Sequence, residues 1–180
     1  MKEILFITGN KHKLREAREI LPHCQINNIE IDLPEIQAID VKKVVKEKAI
    51  IAYNKIKKPL IVEDTGLHIE EWDNFPGALS KWLETTAGND KIVKMLTPFK
   101  NKKAYAETAI CYYDGKICKI FSGQVHGKIV NPRGTNGFGW APIFEVPETN
   151  KTFAEMTEEE KAPYSMRRKA FDKMAKIMNL

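Results

Sequence analysis

The stretch Ile4-Leu5-Phe6-Ile7-Thr8-Gly9-Asn10-Lys11-His12-Lys13-Leu14 decides the fold class. Four apolar residues make a short buried strand, Thr8-Gly9-Asn10 make a tight turn, and a cation-rich helix follows at once. Leu14, Ala17, Ile20 and Leu21 recur at near-helical spacing, while Lys13, Arg15, Glu16 and Glu19 fall mostly off that stripe. A strand, a glycine turn and a helix start aim backbone N–H groups and the positive helix end at one spot, which suits a phosphate. Lys13, one turn in, adds a full positive charge. No Gly-Lys-Ser/Thr follows the glycine, so this is not a Walker A loop, and an ordinary strand-to-helix turn is the alternative reading.

Outward from that stretch the pattern repeats. Residues 24–33 read as a strand ending in Asp32-Leu33-Pro34-Glu35. From 41 to 56, Val41, Val44, Val45, Ala49, Ala52, Tyr53 and Ile56 share one helical face with lysines opposite. Pro59 closes that region, and Leu60-Ile61-Val62 makes a buried strand running into Glu63-Asp64-Thr65-Gly66. Two strand–helix–strand passages predict an α/β fold with a partly parallel sheet. Thr8-Gly9-Asn10 and Glu63-Asp64-Thr65 then lie beyond the carboxyl ends of strands, where ligands of such sheets collect.

The second half changes character. One helix is predicted over 81–96, then strands over 104–113 and 116–130 as an antiparallel hairpin. Tyr113-Asp114-Gly115-Lys116 reads as a two-residue turn that sets Cys111 directly opposite Cys118. That register separates their Cα atoms by about 5.5 Å in a hydrogen-bonded pair, with side chains too far apart for an easy bridge, so free thiols are expected. A glycine-rich loop with two aromatics covers 132–140. Thr157 with Glu160 is a capping box, and Ser165 caps a last helix whose Met166, Ala170, Met174, Ile177 and Met178 face the core.

The 180 residues, 43% hydrophobic and 29% charged, fit one globular domain over 1–180. No apolar run approaches the roughly 20 residues of a membrane span, and Ile4–Ile7 is too short for a secretory core, so no membrane association and a cytoplasmic location are expected. The formal charge of +5 comes from dispersed lysines with acidic residues among them. That favours a solvated surface over a nucleic-acid face, and a polyanionic small substrate gains from the same field. His12, His23, His68 and His126 show no ligand spacing and are expected at the surface or in supporting positions.

Glu35 and Glu63-Asp64 fall at strand exits near the phosphate turn. Carboxylates converging there are what Mg²⁺ needs, because it takes oxygen ligands and shares them with substrate phosphates, although Glu35 or Glu63 taken alone reads better as a solvated loop acid. With Lys13, Lys161 and Arg167 they form a mixed-charge set suited to a magnesium–triphosphate ligand. Phe138, flanked by glycines, stacks on a nucleobase or packs in the core. The residues themselves lead to a phosphate or nucleotide enzyme and stop there.

A resemblance goes further. Thr8-Gly9-Asn10-x-x-Lys13, Asp32-Leu33-Pro34-Glu35, Val62-Glu63-Asp64-Thr65-Gly66-Leu67, Phe75-Pro76-Gly77, Gly137-Phe138-Gly139-Trp140-x-Pro142-Ile143-Phe144, Phe153-Ala154-Glu155-Met156 and Lys161-x-x-x-Ser165-x-Arg167 occur in order. The chain resembles the inosine triphosphate pyrophosphatase family from its first strand to its last helix. The resemblance implies a two-lobed α/β protein with a long central mixed sheet flanked by helices, an active-site cleft between lobes, and a homodimer. It implies Mg²⁺-dependent hydrolysis of deaminated purine nucleoside triphosphates to monophosphate and pyrophosphate; a Maf-type pyrophosphatase and a non-catalytic nucleotide-binding module are the rival readings. Thr8, Gly9, Asn10 and Lys13 would hold the triphosphate, Glu35 and Asp64 would serve the metal, and Asp64 would also be the base. Thr65 would contact substrate, Phe138, Gly139 and Trp140 would line the base pocket, and Lys161 and Arg167 would reach the nucleotide. Two positions depart from the family pattern: Ala141 stands where an aspartate is usual, and Met166 where a histidine is usual. Both fall in the base-recognition set, so hydrolysis is better supported than base selectivity.

Overall fold

In a computed structural model that describes residues 2–137 and 139–180, the chain builds one eight-stranded mixed sheet. Strand β1 (Lys2–Ile7) lies parallel between β2 (Cys24–Ile29) and β3 (Leu60–Ile69). The rest is antiparallel: β3 pairs along its whole length with β5 (Lys103–Tyr113), β5 with β6 (Cys118–Ile129), then β7 (Phe144–Val146) and β8 (Lys151–Thr152). A two-residue β4 (Pro76–Gly77) joins β3 at Leu67 and His68.

The helices follow from the stripes that cover this sheet. On one face, α1 (Lys11–Ile20) and α6 (Met166–Met178) bury Ala17, Ala170, Phe171 and Met174 against Phe6, Ile61, Ile110 and Phe121. On the other, α2 (Val41–Ile56) buries Val41, Val45, Ala49 and Ala52 against Leu60, Val62, Ala109 and Cys111. A third cluster, around Leu67, Ile69, Phe144 and Phe153, is closed by Ile92 and Leu96 of α4 (Asn89–Leu96). Helix α3 (Ser80–Ala87) precedes α4, and α5 (Glu158–Lys161) carries the expected Thr157–Glu160 capping box.

Gly123 sets how closely α6 sits. A Cβ there would lie 2.1 Å from the Met166 carbonyl oxygen and 2.6 Å from Lys169 Cβ, so only glycine lets the start of α6 lie on β6. That approach carries Arg167 down onto β3.

Several sequence expectations are corrected. The strand expected over 24–33 stops at Ile29, and 30–39 has no regular structure, because the Pro34 segment leaves the sheet. The helix expected over 81–96 is two helices, broken at Gly88 with φ 76° and ψ 160°. The hairpin turn has four residues, not two. Asp114 Oδ1 accepts the N–H groups of Lys116 and Ile117 at 2.9 and 2.7 Å, which closes the loop on itself. Tyr113 therefore faces Cys118, and Cys111 faces Ile120. The thiols still meet diagonally, Sγ to Sγ 3.3 Å, and are free as expected. His68 is not at the surface but buried, in a flat stack on Tyr105. Ile177 is exposed, and Phe171 takes the core place assigned to it.

Candidate functional site

A cavity of about 530 Å³ opens beside the middle of β3. Its cause is a gap in the strand ladder. On its β1 side, β3 is paired at Ile61 by β1 and at Leu67–His68 by β4, with no strand between them among the described residues. Glu63, Asp64 and Thr65 thus sit inside a ten-residue strand rather than at a strand exit, which corrects the sequence reading while leaving them next to the end of β1. Every described residue that the sequence put in a site lines this cavity; Phe138 lies outside the described residues.

At the β1 end, Thr8 Oγ1 accepts the Asn10 N–H at 3.1 Å, and Asn10 Oδ1 accepts the N–H groups of His12 and Lys13 at 2.9 and 3.2 Å. The helix start is thus capped by its own asparagine, so the Lys13 ammonium is the principal cationic group that the turn offers an anion. Lys13 Nζ lies 3.3 Å from the Glu63 carbonyl oxygen and 3.4 Å from its carboxylate.

Glu63 is buried and fully committed. Arg167, itself buried, donates Nε–H to Oε2 at 2.9 Å and Nη2–H to Oε1 at 3.1 Å, and its Nη1 donates to Glu16 at 2.7 Å. Burial alone would push the Glu63 carboxyl up, but the charges of Arg167 and Lys13 outweigh it and hold the group down at about 2. Thr65 Oγ1 adds contacts to Glu63 at 3.3 Å and to Thr108 at 2.8 Å. So Glu63 anchors the guanidinium and is not available to a metal. Arg167 spends three of its five donors on protein carboxylates.

Asp64 and Glu35 are different. Burial lifts the Asp64 carboxyl to about 6, the nearby Lys13 and Lys48 charges only partly opposing it, and the Glu35 charge lifts it further. Glu35 is exposed and ion-paired with Lys48. No group of three His, Cys, Asp or Glu residues able to hold a metal occurs among the described residues. A Mg²⁺ ion bound through one or two carboxylates plus substrate phosphates needs no such group. Two mutually repelling carboxylates on one cavity wall fit that requirement.

The far end is apolar. Trp140 packs on Phe144 and Phe153 with ring centroids 5.4 and 6.2 Å away, and buried Ala141 and half-buried Met166 continue the wall. Gly137 and Gly139 take φ of 83° and 69°, and Asn89 Nδ2 donates to the Gly139 carbonyl at 3.0 Å. A Cβ on Gly137 would lie 3.8 Å from Lys161 Nζ, which places that ammonium at the same loop.

Lys48, Lys81, Glu84 and Trp82 also line the cavity and were not singled out from sequence. Lys48 belongs to the lysines of α2, which periodicity assigns to solvent. Lys81, Glu84 and Thr85 share one side of α3 at i, i+3, i+4 spacing, a signal that becomes legible only once the direction of α3 is known.

The Ham1 family profile matches residues 4–177. The chain is 40% identical to the inosine triphosphate pyrophosphatase of Kluyveromyces lactis, over 98% of this chain and 95% of that protein. It is 40% identical to the dITP/XTP pyrophosphatase of Saccharolobus solfataricus, over 96% and 91%. Among solved structures, the Staphylococcus aureus Ham1 protein superposes with a TM-score of 0.87 at 26% identity, over 99% of this chain and 98% of that one.

Proposed function

The chain belongs to the Ham1 family, and from that premise we propose that it hydrolyses deaminated purine nucleoside triphosphates (those of inosine, deoxyinosine and xanthosine) to the monophosphate and pyrophosphate. The observation that carries this reading is one cavity with a cationic turn at one end, the carboxylates of Asp64 and Glu35 in the middle and an aromatic wall at the other. Its volume and polarity gradient fit a triphosphate, its metal and a purine.

Lys13 and the Thr8–Asn10 turn hold the β- and γ-phosphates, with Lys48 and Lys81 adding positive charge along the same wall. Glu35 and Asp64 would hold Mg²⁺, which when bound supplies charge stabilisation for the phosphates. Asp64, its carboxyl lifted to about 6, is matched to take a proton from water near neutral pH. Trp140, Ala141 and Met166 keep the base end dry. The family resemblance extends the proposal to a homodimer in the cytoplasm, and sedimentation of the purified protein tests the dimer.

Triphosphates incubated with Mg²⁺ are expected to yield pyrophosphate and monophosphate, and excess chelator to abolish turnover. Orthophosphate with a diphosphate product, or full activity in chelator, contradicts the reading. Lys13→Ala removes a charge-assisted phosphate contact of about 1.5–3 kcal/mol, so KM should rise roughly 10- to 100-fold. An unchanged KM would move the phosphate end elsewhere.

A further inference from the structure

We infer that Glu84 of α3 supplies the carboxylate that reads the N1–H edge of the purine, an inference that rests on the nucleotide reading above. Ala141 presents only a methyl group to the base end, so an acceptor must come from another element if the base is to be read there. Glu84 is placed to provide it. It is half-buried on the cavity wall, and its Oε2 lies 3.0 Å from where a Cβ on Gly139 would stand. That contact is held from both sides. The Gly88 break turns the chain from α3 into α4, and Asn89, the first residue of α4, donates to the Gly139 carbonyl. The base loop and Glu84 are thus fixed to the same corner.

Its carboxylate is also unspent. Glu16 and Glu63 hold Arg167, and Glu35 holds Lys48, whereas no hydrogen bond or ion pair reaches the Glu84 side chain among the described residues. Burial is the only influence on its acidity and pushes it upward, the response of an acceptor partly stripped of water and given no donor. A donor brought by the ligand completes it. Hypoxanthine and xanthine carry a proton on N1, and adenine carries a lone pair there, which would face the carboxylate as acceptor against acceptor. Guanine also has N1–H and adds a 2-amino donor beside it. The inference is therefore specific: Glu84 excludes adenine and does not exclude guanine.

The test is kcat/KM for the triphosphates of inosine, guanosine and adenosine in the wild type and in Glu84→Gln, an isosteric change at a partnerless site. The expected result is a loss of roughly 10-fold or more for inosine and guanosine substrates and a several-fold gain for adenosine, whose N1 no longer faces a carboxylate and can accept the amide N–H. An equal loss on all three means a structural role, and no loss on any means no contact; either overturns the inference while pyrophosphate release still supports the proposed activity. If the wild type releases no pyrophosphate from any of the three, the proposed activity itself falls, and the inference with it.

Discussion

Asp64→Asn is expected to lower kcat by roughly 10²–10⁴ and, without divalent cation at pH 7–8, to make the fold more stable. The two effects have one cause. The folded protein holds the Asp64 proton more tightly than the unfolded chain does, with the carboxyl at about 6 against 3.8. Its favourable contribution is therefore complete below pH 3.8 and is lost as pH rises through about 6. At neutral pH the ionised group opposes folding by something on the order of 2–3 kcal/mol, which asparagine removes. For a chain of this size the unfolding midpoint should rise by about 4–12 °C. Adding Mg²⁺ should stabilise the wild type more than the variant and narrow the gap. Thermal unfolding with and without Mg²⁺, beside kcat, checks both halves; near-normal kcat in a folded Asp64→Asn protein would remove Asp64 from the chemistry.

Arg167→Met has the opposite sign. It strips Glu63 and Glu16 of their guanidinium and leaves Glu63 buried with Lys13 alone, and breaking a buried pair on one side costs about 3–5 kcal/mol. The midpoint should fall by roughly 6–20 °C at neutral pH. The pH dependence identifies the cause. In the wild type the depressed Glu63 carboxyl stabilises the fold above about 4.5, and that contribution is lost as pH falls through about 2. In the variant, burial dominates and favours the protonated acid, so the deficit should shrink between pH 7 and pH 5. Glu63→Gln in the Arg167→Met background should recover much of the loss, since a neutral side chain no longer needs the cation. A midpoint within about 2 °C of wild type for Arg167→Met alone would show that the network is not structural.

The parallel half of the sheet was legible because Ile4–Ile7, Val41–Ile56 and Leu60–Val62 each carry a period that one packing surface demands. The misreadings came where local chemistry overrode the period. Gly88 broke an otherwise helical stretch, Asp114 rebuilt a turn, and β3 ran on through Glu63 and Asp64 because β5 pairs with every residue of it. A charged pair mid-strand reads as a strand end until its buried partner is known. The residues proposed for phosphate and metal could be placed at one cavity from motif blocks, whereas Lys48, Lys81 and Glu84 could not, since their meaning depends on which side of a helix meets the gap beside β3.

The ion pair between Glu63 and Arg167 joins positions 104 residues apart, and this imposes an order on synthesis. At translation rates of about 5–20 residues per second, β3 leaves the ribosome some 5–20 s before its guanidinium does. Through that interval Glu63 lacks the partner that makes its burial tolerable, and it must stay wet or take up a proton. The α6 face of β3 therefore cannot dry early on the nascent chain. Of the three groups the cation turn is synthesised first, the carboxylates next and the guanidinium last, so the helix that brings Arg167 both seals the core and finishes the cavity.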